Sequence, residues 1–102
     1  MCFIFFKKSF NIKVTIHLLP KTSKYVNSLR NPTKNIGVRV NGAEAYEENK
    51  NGFHPNPDER IFDVSNVKPG QKLTILVGEK NGYFVTKDFT VEKGKLNYLE
   101  EI

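Results

Sequence analysis

Three features of this 102-residue sequence predict an all-β fold, an antiparallel β-sandwich of about six or seven strands. Hydrophobic residues recur at every second position over most of the chain. The turn pairs Asn41-Gly42, Asn51-Gly52, Pro69-Gly70, Asn81-Gly82 and Lys93-Gly94 punctuate it at the spacing of short strands. No amphipathic helix is available to carry the crossovers of a parallel sheet.

The first strand is the clearest. Phe10, Ile12, Val14, Ile16 and Leu18 fall on one face, while Asn11, Lys13, Thr15 and His17 fall on the other. Residues 20–35 form a long connection, in which Tyr25, Val26 and Leu29 suit one helical turn capped by Thr22 or Ser23. A second strand holds Ile36, Val38 and Val40. Residues 43–50 have a helix-forming composition between two Asn-Gly turns and read as a continuing strand or a loop. Further strands surround Ile61, Phe62 and Val64, then Leu73, Ile75 and Val77, then Tyr83, Val85, Phe89 and Val91, and last Leu96 and Tyr98. The expected core is Phe10, Ile12, Val14, Ile16, Val38, Val40, Phe62, Val64, Leu73, Ile75, Val77, Tyr83, Val85, Phe89 and Val91.

Length allows one domain over 1–102, with 1–9 either an extra terminal strand or a disordered end. A composition of 38% hydrophobic and 26% charged residues excludes a disordered chain. The single cysteine, Cys2, excludes an internal disulfide and any multi-cysteine metal site. No apolar run approaches the roughly 18 residues of a membrane span. The opening MCFIFFKK imitates a signal sequence, but its lysines follow the apolar run instead of preceding it. As written, the sequence is expected to carry no export address, unless it belongs to a longer exported protein or its start is misassigned.

The net charge of +5 is unevenly spread: no acidic residue precedes Glu44, while eight basic residues do. Lys21, Lys24, Arg30 and Lys34 on the first connection are therefore candidates for a polyanion such as nucleic acid. The opposing expectation is that lysines merely solubilise strand edges. Phe3, Ile4, Phe5 and Phe6 raise a different question, because a strand here would present apolar side chains on both faces. Only one face can meet the domain's own core, so these four residues are candidates for docking on a protein partner or a second copy. Lys7 and Lys8 then act as a charged stop.

Other chemistry is sparse. His17 and His54 have no companions at ligand spacing, so no transition-metal site is expected. Glu44, Glu47, Glu48, Asp58, Glu59 and Asp63 offer oxygens for calcium, but without the Asp-x-Asp-x-Asp-Gly spacing, and with Lys50 and Arg60 among them. Cys2 has no activating base nearby, and the glycines punctuate turns rather than open helices, so no nucleophile or phosphate loop is expected. The sequence predicts no enzyme and no cofactor.

The segment NPTKNIGVRVNG, followed by EENKNGFHPNPDERIFDVSNVKPGQKLTILVGEKNGYFVTKDFTVEKG, resembles the carboxypeptidase-regulatory-like family of prealbumin-like β-sandwiches. The resemblance rests on Val38 and Val40, Asn51-Gly52-Phe53, Phe62, Asn66-Val67-Lys68-Pro69-Gly70, Leu73 to Val77 and Gly82-Tyr83, and covers residues 31–94. The link FHPNPDER is longer than usual. The resemblance implies a seven-stranded Greek-key sandwich, non-catalytic, serving as a structural or interaction module of a surface, envelope or virion assembly. The similar Cna-B-like domains carry a Lys–Asn isopeptide bond, for which Lys13 and Asn97 are the candidate partners with Glu79 as helper. Glu79 lies too close to Gly82-Tyr83 for that pattern. The related transthyretin-like hydrolases end in Tyr-Arg-Gly-Ser, whereas this sequence ends NYLEEI, which argues against their activity.

Overall fold

A computed structural model describes residues 8–23, 36–48, 58–79 and 82–102. Its strands are β1 (Phe10–His17), β2 (Ile36–Asn41), β3 (Glu44–Glu47), β4 (Glu59–Val67), β5 (Lys72–Glu79), β6 (Gly82–Thr90) and β7 (Asn97–Glu101). They form a four-stranded sheet in the order β3-β4-β1-β7 and a three-stranded sheet in the order β2-β5-β6. The all-β expectation therefore holds, with seven strands in two sheets.

The alternation read in the sequence fills the space between the sheets. Ile12, Val14 and Ile16 of β1, Phe62 and Val64 of β4 and Tyr98 of β7 meet Val38 and Val40 of β2, Leu73, Ile75 and Val77 of β5 and Phe89 of β6 in one buried cluster. Phe10 packs against this cluster but is only partly buried. Fully burying a Val, Leu, Ile or Phe side chain contributes about 1.5–3 kcal/mol, so this cluster dominates the stability of the fold. Leu76 alternates onto the opposite face of the three-stranded sheet, between Arg39 and Thr86, and is nevertheless buried.

Two expectations need correction. Val85 pairs with the core residue Val77, as its alternation requires, yet is 38% exposed. A bulge between Val77 and Gly78 shifts the register there, and the described residues leave this corner partly uncovered. The pairing of β1 with β7 is parallel, with Lys13 opposite Asn97 and His17 opposite Glu101. No crossover helix is needed, because the chain passes through the other sheet between these strands. Tyr83, expected in the core, lies outside the residues whose side chains are described.

Residues 43–50 resolve toward strand: β3 pairs antiparallel with β4, placing Ala45 opposite Val64. The long connection begins with helical residues 20–23, in which the Ser23 amide donates to the Leu19 carbonyl at 2.8 Å. Pro20 opens this turn, where its missing N–H costs nothing. Thr22 and Ser23, expected as caps, lie within it. Tyr25, Val26 and Leu29 are outside the described residues.

The Asn-Val-x-Pro-Gly stretch builds the corner from β4 to β5. Asn66 has φ 57° within a bulge of the β1–β4 ladder, a left-handed conformation that asparagine tolerates. Its amide donates to the Asn11 side-chain oxygen at 3.2 Å. Val67 is fully buried. Pro69 and Gly70 then occupy the centre of a turn closed by Gln71 N–H to Lys68 C=O at 3.1 Å, and Gly70 has the positive φ of 87° that a type II turn demands. The Gln71 side chain donates to the Gly42 carbonyl at 2.6 Å, tying this corner to the β2–β3 turn.

Candidate functional site

The two ends of the molecule differ. The end carrying Gly42, Asn66 and Gly70 is closed by the hydrogen bonds above. Beside it, the Tyr98 hydroxyl accepts from the Glu92 amide at 2.7 Å, and Lys95 stands 4.7 Å from the centre of the Tyr98 ring. Among the described residues, the other end is open. There a groove of about 730 Å3 is lined by Leu19, Thr22, Val77, Val85 and Ile102, with Lys21, Lys87 and Glu101 among its polar residues. This size falls within the range of ligand-binding clefts, about 300–1,000 Å3.

Backbone pairing positions the groove. The Ile102 amide donates to the His17 carbonyl at 3.0 Å and the Leu19 amide donates to the Ile102 carbonyl at 2.9 Å, extending the β1–β7 ladder past both strands. That extension buries Ile102 and leaves Leu19 44% exposed. Across the gap, Val85 of β6 is the second exposed apolar wall. Lys87, also on β6, donates to the Glu101 carbonyl at 3.0 Å and pairs with the Glu100 carboxylate at 3.2 Å. The three-stranded sheet has β6 at its edge, so β5 is its only strand neighbour among the described residues.

Of the polyanion candidates only Lys21 is described. It is exposed, belongs to the helical turn and lines the groove. Lys24, Arg30 and Lys34 lie outside the described residues, as do Phe3, Ile4, Phe5, Phe6 and His54.

Several titratable residues of the four-stranded sheet are engaged with one another. His17 Nε2 lies 3.0 Å from a Glu59 oxygen, and Lys13 pairs with Glu48 at 3.2 Å. Arg60 holds Glu47 through two bonds of 2.5 and 3.1 Å, both side chains largely buried. Tyr46 donates to Glu44 at 2.7 Å, and this bond, reinforced by the negative charge of Glu44, raises the Tyr46 hydroxyl above its ordinary pKa. Of the carboxylates considered for calcium, Glu44, Glu47, Glu48 and Glu59 are thus distributed over separate pairs. Among the described residues no group of three ligating side chains is placed to hold a metal ion.

Lys13 and Asn97, the isopeptide candidates, are register partners on neighbouring strands. Both are exposed, and the Lys13 ammonium is ion-paired to Glu48. Glu79 belongs to β5 in the other sheet, and its side chain lies outside those described.

Sequence reasoning missed Leu19 as a functional candidate. The signal was the doublet Leu18-Leu19: Leu18 continues the buried alternation and Leu19 breaks it immediately before Pro20. Among the described residues, no helix is long and apolar enough to cross a membrane. Compared with known proteins, the chain matches no family model, no curated protein and no solved structure.

Proposed function

We propose that this chain is a non-catalytic structural and protein-interaction module, an accessory β-sandwich of a surface, envelope or virion assembly. The observation that carries the reading is the open end of the sandwich, where Leu19 and Val85 expose apolar surface beside the outer edge of β6. Apolar walls next to a strand edge are the chemistry by which extended segments are bound. A prealbumin-like Greek-key connectivity suits the passage of the chain between sheets at β1–β2, β2–β3, β4–β5 and β6–β7. The pairing of His17, Lys13 and Arg60 with carboxylates supports a structural use of these groups.

A screen of the purified chain against ester, phosphoester, glycoside and peptide substrates tests this reading. Turnover at background is expected. Turnover that disappears in the His17→Ala variant would overturn it. The polyanion alternative is separated by titrating single-stranded and duplex nucleic acid at two salt concentrations, since phosphate contacts by several basic residues make affinity fall steeply with salt.

A further inference from the structure

The interaction-module reading leaves open what the groove recognises. We propose that the groove between Leu19, Val85 and Ile102 takes the carboxyl-terminal end of an extended peptide from a different protein, one that finishes in an aliphatic residue with a free carboxylate. The inference rests on the interaction-module reading and deepens it by naming the chemistry of the partner.

Thr22 carries the inference. It is 8% exposed, belongs to the helical turn at residues 20–23 and lines the groove. Its hydroxyl has no hydrogen-bond partner among the described residues. No buried side-chain oxygen there is both sealed from solvent and unpaired, so this hydroxyl opens on the groove. Its neighbour Lys21 is exposed, lines the same groove and has no ion-pair partner among the described residues. The other charges of the groove are engaged or turned away. Lys87 is held by the Glu100 carboxylate and the Glu101 carbonyl. Glu101 alternates with the buried Ile102 and stands opposite His17, so its side chain belongs to the outer face of the four-stranded sheet. A free ammonium beside an unpaired, nearly enclosed hydroxyl suits an anion that accepts hydrogen bonds from both.

The edge of β6 selects a peptide as the carrier of that anion. Its only strand neighbour among the described residues is β5, so its outer row of N–H and C=O groups is open to a further strand. Leu19, Lys21 and Thr22 stand within four positions of one another, so the apolar group and the anion must arrive together. A terminal aliphatic residue bears both. The chain's own segments do not supply the anion. Residues 1–7, 24–35, 49–57 and 80–81 contain no acidic side chain, and residues 24–35 carry Lys24, Arg30 and Lys34 instead. Ile102 is tied by its amide to His17 and by its carbonyl to Leu19, so neither this chain nor a second copy offers that residue to a groove. The carboxylate therefore comes from a different chain.

Fluorescence anisotropy with the full-length chain tests this. The probe is a labelled peptide of alternating serine and valine ending in leucine, made once with a free carboxylate and once as the terminal amide. The free acid should bind saturably, and the amide about tenfold or more weakly, because it loses hydrogen bonds made to a charged group. Thr22→Val and Lys21→Ala should each weaken the free acid and leave the amide unchanged, while Thr22→Ser should bind as the unaltered chain does. Val85→Glu should abolish binding of the free acid, and Leu19→Glu repeats that arm should Val85→Glu fail to fold. Equal affinity of acid and amide overturns the inference while the interaction-module reading stands. No binding by either form overturns the inference and also removes the β6 edge from the support of that reading. Binding that appears only in Phe3→Asp/Phe6→Asp, or only in Tyr25→Asp/Leu29→Asp, assigns the groove to the chain's own segment and overturns the inference. Binding of labelled dodecanoate without binding of either peptide assigns the groove to a lipid, and overturns it too.

Discussion

Lys87 on β6 reaches across the mouth of the sandwich to the main-chain carbonyl of Glu101 on β7, 3.0 Å away, and so joins the edges of the two sheets. Its ammonium also meets the Glu100 carboxylate at 3.2 Å. An inward-pointing charge on an edge strand limits indiscriminate pairing with other chains. At this boundary the closed part of the core gives way to the groove.

Replacing Lys87 with alanine removes both contacts. The pair is partly solvent-exposed, so the loss should be modest, about 0.5–1 kcal/mol, in urea unfolding. The same variant should recover less completely from refolding, because β6 loses its guard.

The turns at the closed end separate glycine's two roles. At Gly42, φ is +106°, and an added Cβ would lie 2.9 Å from the Lys72 carbonyl oxygen and 3.0 Å from the Leu73 side chain. Gly42→Ala should cost about 1–3 kcal/mol or more, since strain and collision act together. Gly94 has φ +80°, and an added methyl there would meet nothing within 4 Å, so Gly94→Ala should cost only the left-handed penalty of about 1–2 kcal/mol. Equal losses in thermal unfolding would contradict the close approach at Gly42.

Neighbouring positions on β5 and β6 should respond unequally. Ile75 is completely buried, and Ile75→Ala should destabilise by about 2–5 kcal/mol. Val85, which pairs with Val77 two residues further along β5 and is 38% exposed, should lose less than about 1 kcal/mol on truncation to alanine. A large loss at Val85 would show the corner to be packed rather than open.

Two exposed groups should titrate away from their ordinary values. Thr74 donates to Asp88 at 2.7 Å, and this bond, with help from the Lys72 charge and against the effect of desolvation, lowers the Asp88 pKa. A depressed carboxyl stabilises the fold above its unfolded pKa and loses that contribution as pH falls through its folded pKa. Thr74→Val should therefore move Asp88 upward in a carboxyl NMR titration. Tyr46 has the opposite sign: its contribution is present at neutral pH and is lost as pH rises through the raised hydroxyl pKa. Glu44→Gln should return its absorbance titration toward that of an ordinary tyrosine.

The buried face of the fold was legible in the sequence because period two and burial coincide along β1, β4 and β5. Turn chemistry was legible for the same local reason, with Gly70 and Gly94 adopting the positive φ their turns require. What escaped depends on distant partners. Residues 44–47 have a helical composition and become a strand because β4 offers an edge at Ala45 opposite Val64. The parallel alignment of Lys13 with Asn97 joins segments more than eighty positions apart, which no local pattern encodes. Val85 obeys its alternation, but whether an inward side chain is covered depends on how far the sheets close. The groove was therefore invisible as a site, although Leu19 and Val85 were each in view.

Anisotropy of the labelled free-acid peptide, titrated with the full-length chain, tests the interaction-module account most directly. The account predicts a saturable rise that Val85→Glu abolishes. No rise for the free acid or the amide at any concentration of the chain would contradict it, since the edge of β6 and the groove beside it carry that account.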